Sequence, residues 1–304
     1  MRPLYVWGLA LFLFATAVAH GAAFTFSKTN NHLDILRNGK IWLRTMTTPY
    51  SSKHPEDTYK VFTHIYDFAG KAPITKGPGG KYSHHRGLFI GWRDTRHNGD
   101  PSDTWHMKNA SQRHRAWKST GIEGDAAVQV EAVDWCDERG KTFLHETRTI
   151  RVQPGANDAR IIDFESELAP VNCDVEFRGD PHHGGMQVRL ANEVIDHPDT
   201  TRFILPKGAS RLDYDRVVGA WWVCCSAVIN GSRYWILHMT PQSNPTGQPV
   251  YAIRPYGRLG AFFEPDVSKG EKLDLRFRII VSKMQLDREQ CQALYDSYRS
   301  GSHS

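Results

Sequence analysis

Apolar and charged side chains alternate along Leu273-Asp274-Leu275-Arg276-Phe277-Arg278-Ile279-Ile280-Val281. Successive side chains of a strand point to opposite faces, so this period of two predicts a strand with one buried face and one wet face. The same pattern recurs over residues 160–168, where the predicted inner positions are Ile162, Phe164, Ser166 and Leu168. These two segments indicate that the core is built from β-strands.

Asn-Gly pairs mark tight turns between further predicted strands. Asn38-Gly39 separates residues 33–36 from 41–43, and Asn230-Gly231 follows an apolar run at 221–229. Asn-Gly readily adopts the positive φ angles that a two-residue hairpin turn requires. Additional strands are predicted over residues 126–135, 142–152, 186–191, 202–205 and 234–239.

Only the C-terminal end has a helical pattern. Asp287 can cap a helix over residues 288–298, whose apolar positions recur at helical spacing. Many short strands with turn signals between them predict an all-β fold, a β-sandwich with a short C-terminal helix. Residues 47–117 are rich in Gly, Pro, His, Asp and Trp and are predicted to form a long irregular loop region.

The first residues are typical of a secretory signal peptide, predicted over residues 1–19. Arg2 precedes an apolar stretch at 4–18, and Ala17-Val18-Ala19 fits the small-x-small cleavage rule. Residues 20–304 show no internal repeat or linker, so we expect a single β-sandwich domain. The expected location is secreted or periplasmic. The five cysteines are odd in number and form no CxxC motif, so no disulfide pair is predicted.

Composition excludes several classes of function. Charged residues are 23% and hydrophobic residues 40%, as in a globular protein. After residue 20 no apolar run is long enough to span a membrane. The net charge is +5 without a block of like charges, so no nucleic-acid partner is predicted. The sequence contains no GxSxG elbow, Walker loop or helix-opening GxGxxG motif, which argues against serine-hydrolase and nucleotide chemistry.

Histidines concentrate in three short segments, at residues 82–94, 103–106 and 179–185. Histidine changes its protonation state near neutral pH, so such clusters are candidates for acid–base catalysis. The alternative for the first segment is a structural His-Arg pair that ties a loop to the sheet. The alternative for the second is that Trp105 belongs to the core and His106 is exposed. The predicted catalytic residues are His85, His106, Asp94 and His183.

Aromatic and charged side chains near these segments supply candidate sugar contacts. Trp105 could stack on a pyranose ring, and Arg86 could hold a carboxylate in bidentate fashion. The full set of predicted substrate-binding residues is His64, Arg86, Trp105, Arg254, Tyr256 and Glu264. Structural ion pairs are the alternative for the arginines and Glu264. A divalent metal is an open possibility, because His84, His85, His106 and His183 could converge with an aspartate.

The chain resembles the DUF6807 family, also labelled methane oxygenase PmoA-like. The resembling segments, in chain order, are Phe62-Thr63-His64, Ser83-His84-His85-Arg86-Gly87-Leu88-Phe89-Ile90-Gly91-Trp92, Asp103-Thr104-Trp105-His106, Gly179-Asp180-Pro181-His182-His183-Gly184-Gly185, Arg254-Pro255-Tyr256-Gly257-Arg258 and residues 273–281. The resemblance implies a secreted bacterial protein of planctomycete or verrucomicrobial type. It also implies a sandwich of the kind seen in sugar-handling proteins, for which a galactose-mutarotase-like supersandwich is one form. It implies no settled activity. In that family the position of His182 is often not histidine, which favours His183 as the functional one.

The methane oxygenase label conflicts with the sequence, because the membrane subunit of that name needs several spanning helices. Two classes of function remain. The first is a secreted carbohydrate-active enzyme, either a glycoside hydrolase or a polysaccharide lyase, with a carbohydrate or polysaccharide substrate. A lyase would use His85 or His106 as base, and a hydrolase would need two carboxylates from among Asp94, Asp103, Asp180 and Glu264. The alternative is a non-catalytic β-sandwich that binds a carbohydrate or a protein partner, with or without a structural metal.

Overall fold

The computed structural model describes residues 23–301, and the predicted signal peptide lies outside them. Over this range the chain is mostly β-structure. The strands are β1 Phe24–Lys28, β2 His32–Arg37, β3 Lys40–Met46, β4 Phe62–Ile65, β5 Leu88–Trp92, β6 Asp94–His97, β7 Asp100–Ser102, β8 Ala110–Glu123, β9 Ala126–Asp137, β10 Thr142–Pro154, β11 Arg160–Pro170, β12 Val175–Arg178, β13 Gly184–Arg189, β14 Arg202–Ile204, β15 Ser210–Arg211, β16 Arg216–Val218, β17 Trp222–Ile229, β18 Ser232–Met239, β19 Val250–Arg254, β20 Arg258–Phe262, β21 Asp266–Val267 and β22 Leu273–Ser282. The α-helices are α1 Pro55–Thr58, α2 Glu193–Asp196 and α3 Arg288–Arg299, and 3-10 turns occupy Ala156–Asp158 and Pro198–Thr200.

The strands form three antiparallel sheets. The ten-stranded sheet has the order β1-β2-β3-β4-β5-β13-β20-β19-β16-β15, and the eight-stranded sheet has the order β14-β17-β18-β22-β11-β10-β9-β8. A four-stranded sheet, β21-β12-β6-β7, lies beside them. A single apolar core contains Leu88 and Leu259 from the first sheet and Phe164 and Phe277 from the second. Because both large sheets bury one face in this core, the predicted all-β sandwich is confirmed.

Local sequence patterns correctly located the hairpins and the buried faces. Asn38 and Gly39 have φ angles of 51° and 74° at the turn between β2 and β3, and Asn230-Gly231 forms the turn between β17 and β18. In β22, the alternating apolar positions from Leu273 to Val281 are buried. The predicted wet face is exposed only at Asp274 and Arg276, because α3 covers Arg278 and Ile280. Strand β11 pairs with β22 along nine residues, Arg160↔Val281 to Leu168↔Leu273. The two most strongly alternating segments are therefore neighbours in the sheet.

The predicted C-terminal helix is also confirmed. The Asp287 side chain accepts from the Gln290 backbone N–H, and the Gln290 side chain accepts from the Asp287 backbone N–H, which forms a capping box. Cys291 and Tyr295 of α3 pack on Trp222 and Leu237, on the face of the eight-stranded sheet that points away from the main core. All five cysteines are unpaired.

Five strands lie wholly or partly inside residues 47–117, the region predicted to be irregular. Four of them, β4 to β7, are only three to five residues long. The fifth is long: strand β8 begins at Ala110 and continues beyond the predicted region. It forms an edge of the eight-stranded sheet and is exposed along most of its length, so its polar sequence carries no burial pattern. In the part of the chain that the structure describes, no helix is both long and apolar enough to cross a membrane.

Candidate functional site

Glycines open the outer face of the ten-stranded sheet to a covering loop. Gly91 in β5 pairs with Gly185 in β13, and both lie on the face opposite the main core. A Cβ atom on Gly91 would lie only 2.3 Å from the carbonyl oxygen of Thr104, a contact too close for any side chain. Gly185 has a φ of 80°, and a Cβ there would lie 1.8 Å from the Ala261 carbonyl oxygen. The sheet therefore admits backbone where other residues would place side chains.

The loop at residues 103–108 uses this space to position the first aspartate–histidine pair. The Trp105 backbone N–H donates to the Trp92 carbonyl oxygen at 3.0 Å, which fixes the loop to the end of β5. One carboxylate oxygen of Asp103 accepts from the His106 backbone N–H at 2.7 Å. The other oxygen lies 2.8 Å from His106 Nδ1. Both the backbone and the ring of His106 are therefore held by one carboxylate.

A second aspartate–histidine pair precedes β13 and has the same sequence spacing. His183 Nδ1 lies 2.9 Å and 3.0 Å from the two carboxylate oxygens of Asp180. Asp180 also accepts from the His182 backbone N–H at 2.9 Å. The His183 carbonyl oxygen accepts from the Arg93 N–H at 2.8 Å, so this loop is also fixed at the end of β5.

The two pairs face each other, with a third imidazole beside them. The ring centroids of His106 and His183 are 5.1 Å apart, and the His84 ring lies 4.4 Å from His106. The side chains of His106 and His183 are 22% and 31% exposed, so solvent reaches both rings. We name His84, Asp103, His106, Asp180 and His183 the histidine cluster.

Burial favours the neutral form of two histidines in the cluster. Burial, followed by the charges of Lys60 and the neighbouring histidines, lowers the pKa of His84 to about 2. Burial also lowers the pKa of His183, although the hydrogen bond to Asp180 opposes that change. Lys60 is buried, which holds its own pKa well below the usual range, and its side-chain nitrogen donates to the carbonyl oxygens of His84 at 3.1 Å and Trp105 at 2.7 Å. At neutral pH, His84 and His183 are therefore uncharged, and His183, whose carboxylate partner opposes the effect of burial, is the better proton acceptor of the two.

The backbone beside the histidine cluster is in an unusual conformation. Tyr82 and Met107 have φ angles of 55° and 61°, in the left-handed region that side-chain-bearing residues rarely occupy. Each lies one or two residues from a histidine of the cluster. Such outliers concentrate at functional sites, where the surrounding structure holds them in place.

His85, predicted to be catalytic, lies beneath the cluster rather than in it. The Tyr82 carbonyl oxygen accepts from the His85 N–H, so a turn places the rings of His84 and His85 only 4.3 Å apart. His85 is 2% exposed, and burial holds its pKa well below the usual range. Its ring contacts Trp105 and Tyr256, at centroid distances of 5.9 Å and 6.2 Å.

Three of the predicted substrate-binding side chains, Arg86, Trp105 and His64, are buried and contact other parts of the protein. Arg86 is buried and donates to the carbonyl oxygens of Ser83, His85 and Glu56. Trp105 is fully buried and forms a wall beside His183. His64 on β4 bonds to Thr75 at 3.1 Å, and burial lowers its pKa to about 4.

The remaining predicted residues lie around the cluster or away from it. Asp94 pairs with Arg96 at 2.8 Å, in a groove beside the four-stranded sheet. Glu264 is exposed and accepts from the Gly179 N–H at 3.1 Å, next to the Asp180 loop. Arg254 pairs with the buried carboxylate of Asp215. Tyr256 lies in the turn after β19, with its ring 5.0 Å from that of Tyr82.

No group of three or more His, Cys, Asp or Glu side chains within residues 23–301 is arranged to hold a metal ion. The rings of His84, His106 and His183 converge, and two of them hydrogen-bond through Nδ1 to a carboxylate. Each carboxylate fixes a proton on Nδ1, so Nε2 is free to accept a proton or, once protonated, to donate one.

From the sequence, Asp103 and Asp180 were candidates for hydrolase carboxylates, for proton transfer beside His106 or for a mixed His/Asp metal site, but not for partners that orient His106 and His183. A local signal was present, because both segments place Asp three residues before His, at 103–106 and 180–183. Sequence reasoning also missed Lys60, Arg189 and Arg258, which are buried near the cluster. Their positions depend on strand pairing that no local pattern encodes.

The model of a family of unknown function, DUF6807, matches residues 32–296. The chain belongs to this family. No curated protein matches the sequence. DUF6807 therefore identifies the relatives of the chain and leaves the activity to be argued from the site.

Solved structures similar to this DUF6807 protein include sugar enzymes at very low identity. A putative kojibiose phosphorylase from the human microbiome has a TM-score of 0.34 and 10% identity, covering 86% of this chain and 32% of its own. A galactose mutarotase related enzyme from Lactobacillus acidophilus has a TM-score of 0.33 and 8% identity, and the match covers 86% of this chain and 97% of that enzyme. A 4-alpha-glucanotransferase from Thermococcus litoralis has a TM-score of 0.29 and 9% identity, and the match covers 88% of this chain and 38% of that enzyme. The chain thus spans about a third of the phosphorylase, and these similarities concern overall shape alone.

Proposed function

We propose that this protein is a secreted carbohydrate-active enzyme that moves protons between its histidines and a sugar, and that its reaction is the elimination catalysed by a polysaccharide lyase. One observation carries the proposal: two carboxylate-oriented histidines, His106 and His183, face each other at 5.1 Å. An elimination needs a base for the proton next to a uronate carboxylate and an acid for the departing oxygen. The two pairs supply one group for each role.

The electron flow of that reaction balances with these groups. The Nε2 atom of one histidine removes the proton on the carbon next to the carboxylate. The electron pair of that C–H bond forms a carbon–carbon double bond, and the glycosidic carbon–oxygen bond breaks. The departing oxygen takes the Nε2 proton of the second histidine, His106, which enters the reaction as an imidazolium held beside Asp103 and leaves it neutral, while the base, His183, becomes protonated. Asp103 and Asp180 hold their rings in place and stabilise the positive charge that develops on the base.

Hydrolysis fits the site less well. A glycoside hydrolase uses two carboxyl groups directly, one as acid and one as base or nucleophile. Asp103 and Asp180 are both engaged with a histidine Nδ1 atom and with backbone N–H groups. Asp94 pairs with Arg96, away from the cluster. Elimination therefore requires no rearrangement of these pairs, whereas hydrolysis would have to release one.

Single substitutions test the proposal. The protein would be incubated with uronate-containing polysaccharides, and unsaturated product would be followed by its ultraviolet absorbance. His106→Asn and His183→Asn should each lower kcat by about 10²–10⁴-fold, the usual contribution of a positioned acid or base. His145→Asn is the matched control, since His145 forms the same kind of pair with Asp134 at 2.8 Å on the eight-stranded sheet.

Two results would count against the enzyme. Turnover that survives both cluster substitutions would remove the histidines from the mechanism. Sugar binding without any product from the wild-type protein would favour the non-catalytic binding function instead.

A further inference from the structure

Two arginines lie side by side on the outer face of the ten-stranded sheet, beneath the histidine cluster. Arg189 on β13 and Arg258 on β20 are direct partners in the ladder, so their side chains share one face. Arg189 is 0% exposed and Arg258 is 2% exposed. We name them the arginine pair. Within residues 23–301, no carboxylate lies within ion-pair distance of either guanidinium.

Each guanidinium uses only one of its nitrogens within the described chain. Arg258 Nη1 donates to the His182 carbonyl oxygen at 2.5 Å, and Arg189 Nη1 donates to the carbonyl oxygens of Leu190 and Tyr256. The Nε and Nη2 atoms of both arginines are buried and have no acceptor among the described residues. His85 Nδ1 and Trp105 Nε1 are buried nearby in the same condition.

Burying both guanidiniums without an anion destabilises the folded state. A buried charge without a partner loses its hydration with no compensation, and two like charges opposite each other in a ladder add repulsion. Two other buried arginines have carboxylate partners, since Arg148 bonds to Glu146 at 2.9 Å and Arg278 to Asp163 at 2.6 Å. Arg86 and Arg160 are buried without a carboxylate, but the Nη1 and Nη2 atoms of each donate to carbonyl oxygens. The arginine pair differs from both cases, because two adjacent guanidiniums each leave Nε and Nη2 without an acceptor among the described residues.

We propose that the arginine pair is the binding site for one oxyanion of the substrate, a carboxylate or a sulfate ester on the sugar. This inference rests on the proposed function for its choice of ligand. The position suits that role, because the guanidinium of Arg258 lies over the Trp105 ring at 5.6 Å and bonds to the residue before His183. An anion held there would place the neighbouring carbon of the sugar at the histidine cluster.

Tyr82 and Tyr256 cover the arginine pair from the solvent side. The Arg189 guanidinium lies 4.7 Å from the centre of the Tyr256 ring, and Tyr82 lies 5.0 Å from that ring. Tyr82 is 38% exposed and has a φ of 55°. In this proposal, an anion reaches the unpartnered nitrogens when Tyr82 and the Tyr256 ring that it packs against move aside.

Thermal unfolding in the presence of small anions tests the site without needing turnover. Sodium galacturonate, sodium sulfate and neutral galactose would be titrated separately at constant ionic strength. A ligand that binds the folded state raises Tm further with each tenfold increase in concentration above its Kd. Sulfate also stabilises proteins by exclusion from their surface, so the specific effect is the difference between wild type and variant.

The variants are Arg189→Gln and Arg258→Gln, with Arg160→Gln as the matched control. Arg160 is also buried and bonds to carbonyl oxygens, but it lies elsewhere, against Tyr66 and Asp67. Each arginine-pair variant should weaken anion binding by about tenfold or more, the loss of one charged hydrogen bond. Arg160→Gln should retain the wild-type anion response.

Each outcome has a defined meaning. A response to galacturonate alone assigns a sugar carboxylate, and a response to sulfate alone assigns a sulfate ester. No anion response beyond that of galactose in the wild type, or an equal loss in Arg160→Gln, would overturn the proposal. His183→Asn should lose turnover and keep the anion response. Anion binding by the wild-type protein without turnover of a uronate-containing polysaccharide would refute the proposed function and leave the binding site standing.

Discussion

Replacing Asp180 by asparagine separates the electrostatic role of the second pair from its structural role. The carboxylate lies 2.9 Å and 3.0 Å from His183 Nδ1 and raises the pKa of that imidazole against the lowering effect of burial. A hydrogen bond to a charged group contributes about 1.5–3 kcal/mol. Both side chains are about a third exposed, so solvent screening reduces this to ~1.4 kcal/mol, equivalent to about one pKa unit.

The expected result of Asp180→Asn has a definite sign. Loss of the negative charge lowers the pKa of His183, because Asp180 no longer stabilises the protonated imidazole. A general base works when deprotonated, so the acid limb of the kcat/KM profile moves to lower pH. The plateau value of kcat falls by about 10–100-fold, because the imidazole is a weaker base and is less well oriented. Asparagine can keep the backbone bond to His182, so Tm changes by only ~2–4 °C.

The assay is an NMR titration of the histidine rings together with the pH profile of turnover. Asp134→Asn is the control, because it removes a carboxylate from His145 outside the cluster. It should leave both the titration of His183 and the acid limb unchanged. A His183 pKa that stays constant or rises in Asp180→Asn would refute the reasoning, and so would a large loss of Tm with an unchanged acid limb.

Two other predictions concern the scaffold. Gly91→Ala places a Cβ 2.3 Å from the Thr104 carbonyl oxygen. Thermal unfolding should therefore show a loss of about 1–3 kcal/mol in the free energy of unfolding, and displacement of His106 should lower activity. Gly121→Ala is the control, because open space surrounds that position, and it should change neither stability nor activity. Burial lowers the pKa of His238 to about 3, so the unfolded chain binds a proton below pH ~6.5 that the folded chain does not. The free energy of unfolding therefore decreases as the pH falls from ~6.5 toward 3. His238→Leu should reduce this slope by ~1.4 kcal/mol per pH unit, measured by urea unfolding. An unchanged slope would contradict the conclusion that His238 stays neutral in the folded protein.

Much of the fold could be predicted because its signals are local. The alternation at residues 273–281 and the Asn38-Gly39 turn depend on neighbouring residues, and both appear in the structure as expected. Strand β8 was missed over residues 110–117 because its exposed edge position imposes no hydrophobic period. Local propensity is informative where one face of a strand is buried and silent where neither is.

The candidate site was only partly predictable, for a related reason. His106 and His183 were selected because each lies in a short cluster of polar residues. Their meeting at 5.1 Å depends on two loops fixed to the same end of β5, which no sequence window contains. Arg86 was expected to hold substrate because arginine suits carboxylates, yet its guanidinium is occupied by backbone carbonyl oxygens. Arg189 and Arg258 became candidates only through their cross-strand pairing.

The most direct test of the account follows the substrate proton itself. The wild-type protein, His106→Asn and His183→Asn would be incubated in D₂O with a uronate-containing polysaccharide, and ¹H NMR would follow the hydrogen next to the carboxylate. The wild type should remove this hydrogen and form unsaturated ends, and both variants should lose the reaction. Retention of that hydrogen with wild-type protein, or its equal loss in all three samples, would contradict proton transfer by the histidine cluster.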